Sequence, residues 1–146
     1  MVRVKPADTK KHLLTKVFTM CEIVKVRIGD RDIKVADIKK KYINNIADAA
    51  QKCSYIDRVV LFGSSIMERC RESSDIDIAV FGSAPKSKAL TSKSFKDFAG
   101  QLYAYDDFNQ SYDILYFKTG SRKMGNIMND IENGEVIYAR EKSGNS

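Results

Sequence analysis

The stretch Leu61-Phe62-Gly63-Ser64, followed after Ser65 to Ser74 by Asp75-Ile76-Asp77-Ile78-Ala79-Val80, decides the fold. Arg58-Val59-Val60-Leu61-Phe62 is a short apolar run, which reads as a strand buried on both faces and stopped at Gly63. Ser65 and Glu68 have capping-box spacing, so a helix is expected to begin at Ser64 or Ser65 and run toward Arg71. A second strand follows from Asp75 to Phe81, closed by Gly82-Ser83-Ala84-Pro85. Side chains alternate along a strand, so Asp75 and Asp77 project the same way with Cα atoms about 6 to 7 Å apart. Ile76, Ile78 and Val80 take the other face, where helices can cover them.

Working outward, Val24, Val26 and Ile28 alternate with charged residues, Gly29-Asp30 signals a tight turn, and Ile33 and Val35 alternate again, which predicts a β-hairpin between Glu22 and Val35. From Asp37 to Cys53 the apolar positions Ile38, Tyr42, Ile43, Ile46, Ala49 and Ala50 recur every three or four residues, the spacing of an amphipathic helix. Lys39, Lys40, Lys41 and Lys52 are expected on its wet faces. Leu13, Leu14, Val17, Phe18 and Met20 suggest a further helix over residues 7–20. Residues 82–94 are rich in Ser, Lys, Gly and Pro and read as a mobile surface loop. Phe95, Phe98, Leu102 and Tyr103 predict a helix ending near Asp106 to Asn109, with Asp106-Asp107 in a solvated turn. A strand over Tyr112 to Phe117, a helix over Met124 to Ile131, a strand over Glu135 to Ala139 and a frayed tail from Arg140 complete the pattern. The expected class is α/β (α+β), a small mixed sheet flanked by helices.

The 146 residues, 43% of them hydrophobic, suit one domain: a recognisable core over about 40–140, an N-terminal extension over 1–35 and a tail over 141–146. A net charge of +6 suits a phosphate-bearing ligand, a nucleic acid or an acidic partner and does not choose among them. Cys21, Cys53 and Cys70 are odd in number and widely spaced, forming neither a disulfide framework nor a paired zinc pattern, and Cys70 is expected to be the most exposed. No apolar stretch approaches the roughly 20 residues of a membrane span, and with no secretory h-region the expected location is cytoplasmic. His12, the single histidine, lies among lysines, so catalysis is expected to run on carboxylates.

Two carboxylates on one strand face repel, and a divalent cation relieves them; magnesium favours one or two carboxylates completed by water and phosphate oxygens. Two-metal phosphoryl-transfer sites need a further acid, and Asp113, opening the third strand, is the best candidate. Gly63 lets the backbone approach a phosphate, and Ser64 at a helix start offers a hydroxyl and backbone N–H groups.

Gly63-Ser64, the interval to Asp75-x-Asp77, the later Asp113 and the ending Ile131-Glu132-Asn133-Gly134-Glu135-Val136-Ile137-Tyr138 closely resemble the polymerase-β-like nucleotidyltransferases. The resemblance is strongest to the minimal members related to kanamycin nucleotidyltransferase and to the MntA-type antitoxins. It implies that Gly63 and Ser64 hold the triphosphate. It further implies that Asp75, Asp77 and Asp113 ligate two magnesium ions, and that Asp113 helps to activate the acceptor hydroxyl. The implied reaction transfers a nucleoside monophosphate from a nucleoside triphosphate, with ATP the expected donor, and releases pyrophosphate. The acceptor stays open among a partner protein, RNA and a small molecule; a homodimer or a toxin partner is compatible, and an antitoxin that adenylylates its toxin fits the small size. Minimal members carry an arginine soon after Gly-Ser and a glycine a few positions on, whereas this chain reads Ser65-Ile66-Met67-Glu68. In a capping box, Glu68 would occupy backbone donors near the phosphate and add like charge there. The competing expectation is therefore a catalytically silent nucleotide- or protein-binding module on the same fold.

Overall fold

The computed structural model describes residues 20–121 and 125–141. The helix expected over 7–20 lies, apart from Met20, outside the described residues, as do Met124 and residues 142–146. The class is as expected, a mixed α/β arrangement with a two-stranded and a four-stranded sheet.

The hairpin comes first: β1 (Ile23–Ile28) pairs antiparallel with β2 (Arg31–Ala36) around Gly29-Asp30. The stretch read as one long helix divides in two, a 3₁₀ helix over Asp37–Tyr42 and then α1 (Ile43–Lys52). Ile43, Ile46, Ala49 and Ala50 form the buried stripe of α1, the i, i+3, i+6, i+7 face that the spacing predicted. Next come β3 (Ile56–Phe62), a 3₁₀ turn over Gly63–Ile66, β4 (Ile76–Gly82), α2 (Lys86–Thr91), α3 (Lys93–Ala104), β5 (Tyr112–Lys118), α4 (Asn126–Glu132) and β6 (Glu135–Ala139).

The main sheet has the order β5-β4-β3-β6, with β4 parallel to β5 and the other neighbours antiparallel. Its two faces bury different cores. Val59, Leu61, Ile76, Ile78, Val80, Tyr112, Tyr116 and Ile137 meet α1, α3 and the hairpin's Ile33 and Val35 in the larger one. Val60, Phe62, Ala79 and Phe81 meet Ile131 of α4 in the smaller one.

Four expectations change. The helix after Gly63-Ser64 is a single 3₁₀ turn whose end, Met67, is already extended, so Ser65 and Glu68 form no capping box. The segment over 82–94 is not a loop throughout: α2 stands on Ala89, whose side chain is buried, and Ser92 caps α3 by accepting from the Phe95 N–H at 3.1 Å. Cys70 is buried, as is Cys53, while Cys21 is half-buried and its thiol donates to the Cys70 carbonyl at 2.6 Å. Arg140 is not frayed, because its guanidinium donates to the carbonyls of Ile56 (3.0 Å) and Cys53 (2.8 Å).

Candidate functional site

β3 delivers Phe62 into a turn and β4 returns beside it, with Phe62 opposite Asp77 in the antiparallel register. Gly63 has φ +74, a conformation that favours glycine, and a Cβ built on it would collide with Asp77 Oδ2. The requirement for glycine is therefore double, in the backbone angle and in the room left for the carboxylate. The turn points the backbone around Ser64 past the ends of β3 and β4, and Ser64 itself is half-buried.

β4 and β5 run parallel with Asp77 paired directly to Asp113, a separation of about 4.8 Å between neighbouring strands. The alternation puts Asp77 with Ala79 and Phe81, and Asp113 with Leu115 and Phe117, on the face of the smaller core. Ile76, Ile78 and Val80 lie on the other face, packed in the larger core, which is how the strand is anchored. Asp75 precedes the first residue of β4 and is exposed, whereas Asp77 is half-buried. Burial pushes the Asp77 carboxyl above its ordinary range; the charges of Asp113 and then Asp75 push the same way, and Arg69 opposes them. Asp77 is thus in electrostatic contact with both other acids, and the exposed Arg69 is a cation that reaches it.

Among the described residues, no group of three or more His, Cys, Asp or Glu side chains is gathered tightly enough to hold a metal ion as it stands. Burial is the first cause of the raised Asp77 carboxyl and the neighbouring carboxylates are the second, and a bound cation would offset both. An all-oxygen donor set matches a hard divalent cation such as magnesium, so the residues fit the group the resemblance implies. Glu68 lies exposed beyond the turn, and its carbonyl accepts from the Cys21 N–H at 2.8 Å; no side chain caps the turn over Gly63–Ile66. A cavity of about 630 Å³ lies elsewhere, lined by the hairpin turn, one side of α1 and Ile137 to Glu141, and none of the five expected site residues borders it.

Sequence reasoning missed the support beneath the acids. Lys39, expected on a wet face, is 1% exposed, and its ammonium donates to the Glu72 carbonyl (2.9 Å), the Ser74 carbonyl (2.8 Å) and Gln110 Oε1 (2.7 Å). The signal was present: Lys39, Tyr42, Ile43 and Ile46 follow i, i+3, i+4, i+7, the buried side of the helical stretch. Ser65 was missed as well; its side chain is fully buried next to Ser64, and its hydroxyl has no hydrogen-bond partner among the described residues. Asp106, expected to be solvated, accepts from the Tyr42 hydroxyl at 2.6 Å, and Lys41 stands 3.6 Å from the same oxygen.

A strand, a glycine turn and a parallel strand pair that presents acids in register form the arrangement that the resemblance to polymerase-β-like nucleotidyltransferases implies. The sequence model of the family described as polymerase beta, nucleotidyltransferase, matches residues 44–143, and the chain belongs to that family. No curated protein matches the chain.

Proposed function

We propose that this protein is a single-domain enzyme that transfers a nucleoside monophosphate from a nucleoside triphosphate, ATP in the first instance, to an acceptor hydroxyl. The observation that carries the reading is the register pairing of Asp77 with Asp113 beside a glycine turn that has no room for a side chain. Asp75, Asp77 and Asp113 would hold two magnesium ions, which when bound supply the positive charge that neutralises the carboxylates and the phosphate oxygens. Gly63 and Ser64 bring backbone N–H groups and a hydroxyl to the triphosphate. Asp113, exposed at the rim, accepts the acceptor's proton as the acceptor oxygen bonds to the α-phosphorus. The bond from that phosphorus to the bridging oxygen breaks in the same step, and pyrophosphate leaves. Arg69 supplies the positive charge that the Ser65 to Glu68 sequence lacks.

The acceptor class we favour is a partner protein, in the manner of an antitoxin that adenylylates its toxin in the cytoplasm. The test is incubation of the purified protein with magnesium and each labelled nucleoside triphosphate, alone and with a co-purified partner. Label transfer is expected with wild type and is expected to vanish in Asp75→Asn/Asp77→Asn. Magnesium-dependent nucleotide binding with no transfer from any donor would sink the enzyme reading and leave a silent binding module.

A further inference from the structure

We infer that Lys39 and Gln110 form a buried lock that positions Asp75 and Asp113, an inference that rests on the reading of these acids as the metal-binding group. Asp75 stands just before β4, so no strand ladder fixes its backbone. The preceding carbonyl does. Ser74 O accepts from Lys39 Nζ at 2.8 Å and from Gln110 Nε2 at 3.0 Å, and Glu72 O accepts from the same ammonium at 2.9 Å. On the neighbouring strand, Ser111 O accepts from Gln110 Nε2 at 2.7 Å and from the Ile76 N–H at 3.0 Å. Ser111 stands two residues before Asp113. Lys39 Nζ also donates to Gln110 Oε1 at 2.7 Å, which sets the orientation of the amide. Two side chains therefore clamp the approaches to both acidic strands, and all three ammonium donors are used.

A lysine is an expensive way to fill such a position. Lys39 is 1% exposed and Gln110 4%, and burial lowers the Lys39 ammonium below its ordinary range. For stability alone, an apolar side chain of similar volume often serves as well or better than a buried charge. What an apolar side chain cannot do is hold three oxygens in fixed directions while placing a positive charge near Asp75. The acids need both: fixed approaches, because ligand orientation is set by the groups behind the ligands, and a nearby cation, because they repel. Lys39 and Gln110 are positioning residues, since they act through the backbone of Ser74 and Ser111.

The test compares wild type with Lys39→Met, Gln110→Leu and a core control, Ile43→Val, under conditions where all are folded. One readout is Mn²⁺ affinity, with the metal alone, by electron paramagnetic resonance; the other is amide hydrogen exchange at Ile76. Both lock variants are expected to weaken Mn²⁺ binding about tenfold or more, the scale of losing groups behind a metal ligand. They are also expected to speed exchange at Ile76 by at least about tenfold relative to β3 amides, a local opening rather than a global one. Ile43→Val is expected to lower the thermal midpoint and change neither readout. Lock variants that bind Mn²⁺ as wild type does, with Ile76 still protected, would overturn the inference. If wild type binds no Mn²⁺, the metal reading of the acids fails, and unchanged exchange at Ile76 would still overturn the lock. Should Lys39→Met not fold, Gln110→Leu carries both readouts.

Discussion

Asp77 is held where burial and its neighbouring acids disfavour its charge. It is half-buried, it lies in register with Asp113, and Gly63 beside it could carry no side chain without displacing its carboxylate. A carboxyl whose folded value is raised binds its proton more tightly in the fold than in the unfolded chain. Its penalty is absent below the unfolded value of about 4, grows as pH rises toward the folded value, and is complete above it. Asp77→Asn is therefore expected to raise the thermal midpoint of the metal-free protein at pH 7, with the difference closing as the pH falls toward about 4. Magnesium is expected to reverse the order, because only wild type gains from binding it. Thermal unfolding in chelator and in magnesium checks both halves. A lower midpoint for Asp77→Asn in chelator at pH 7 would show that the carboxylate is stabilised rather than strained. Stability sacrificed at one residue is the usual mark of a site whose ligand completes it.

At the scale of elements, the end of α3 shows a similar concession. The Phe108 N–H bonds the Tyr103 carbonyl at 3.0 Å and the Asp107 N–H bonds the Ala104 carbonyl at 3.2 Å, the two bonds of a Schellman closure. Glycine usually occupies the left-handed position of such a closure, yet here Asp107 has φ +52 and the exposed Phe108 has φ +64. Asp107→Gly is expected to stabilise the protein by about 0.5 to 1 kcal/mol, the left-handed cost less the entropy glycine adds to the unfolded chain. Urea unfolding measures it, and a loss of stability would mean that the Asp107 side chain has a role its backbone does not reveal. Elements whose signal was periodic were legible in the sequence. The hairpin, β3 to β6 and the stripes of α1 and α3 fall within one or two residues of where alternation or i, i+3 spacing put them, except that α1 begins after a 3₁₀ turn. Elements resting on one residue were not: α2 buries only Ala89, and the Ser65-Glu68 spacing mimicked a cap where β3 needs just a tight turn to release the chain. Strand alternation set Asp77 on the face opposite Ile76 and Ile78, as observed, whereas Asp75 precedes the first residue of β4 and the period does not reach it. The support beneath the acids was not legible, because Lys39 is one of three consecutive lysines and Gln110 is distant in sequence, so only tertiary contact distinguishes them.

Across the whole molecule, the two sheet faces divide the work. One face carries the larger core, covered by α1, α2, α3 and the hairpin, and includes Phe98, which is 2% exposed and packs 5.7 Å from Phe95 between ring centres. The other carries Asp77 and Asp113 in line with Ala79, Phe81, Leu115 and Phe117, and among the described residues α4 is the helix that packs on it. On the proposed reading, a cover extended over that face would bury the acids that the nucleotide must reach; the larger apolar core lies on the opposite face. The asymmetry is measurable by substituting one phenylalanine on each face. Phe98→Ala is expected to cost about 3 to 5 kcal/mol, the range for truncating a fully buried aromatic, which approaches the whole stability of a typical domain. Phe117→Ala removes a half-buried ring stacked 5.4 Å from Phe81. It is expected to cost only about 1 to 2 kcal/mol, since most of the loss is one aromatic pair and part of a side chain's burial. Urea denaturation of both variants, with the midpoint and slope fitted together, gives the two values. Equal costs would mean that the acidic face is packed as well as the other, which would count against the nucleotide site proposed there.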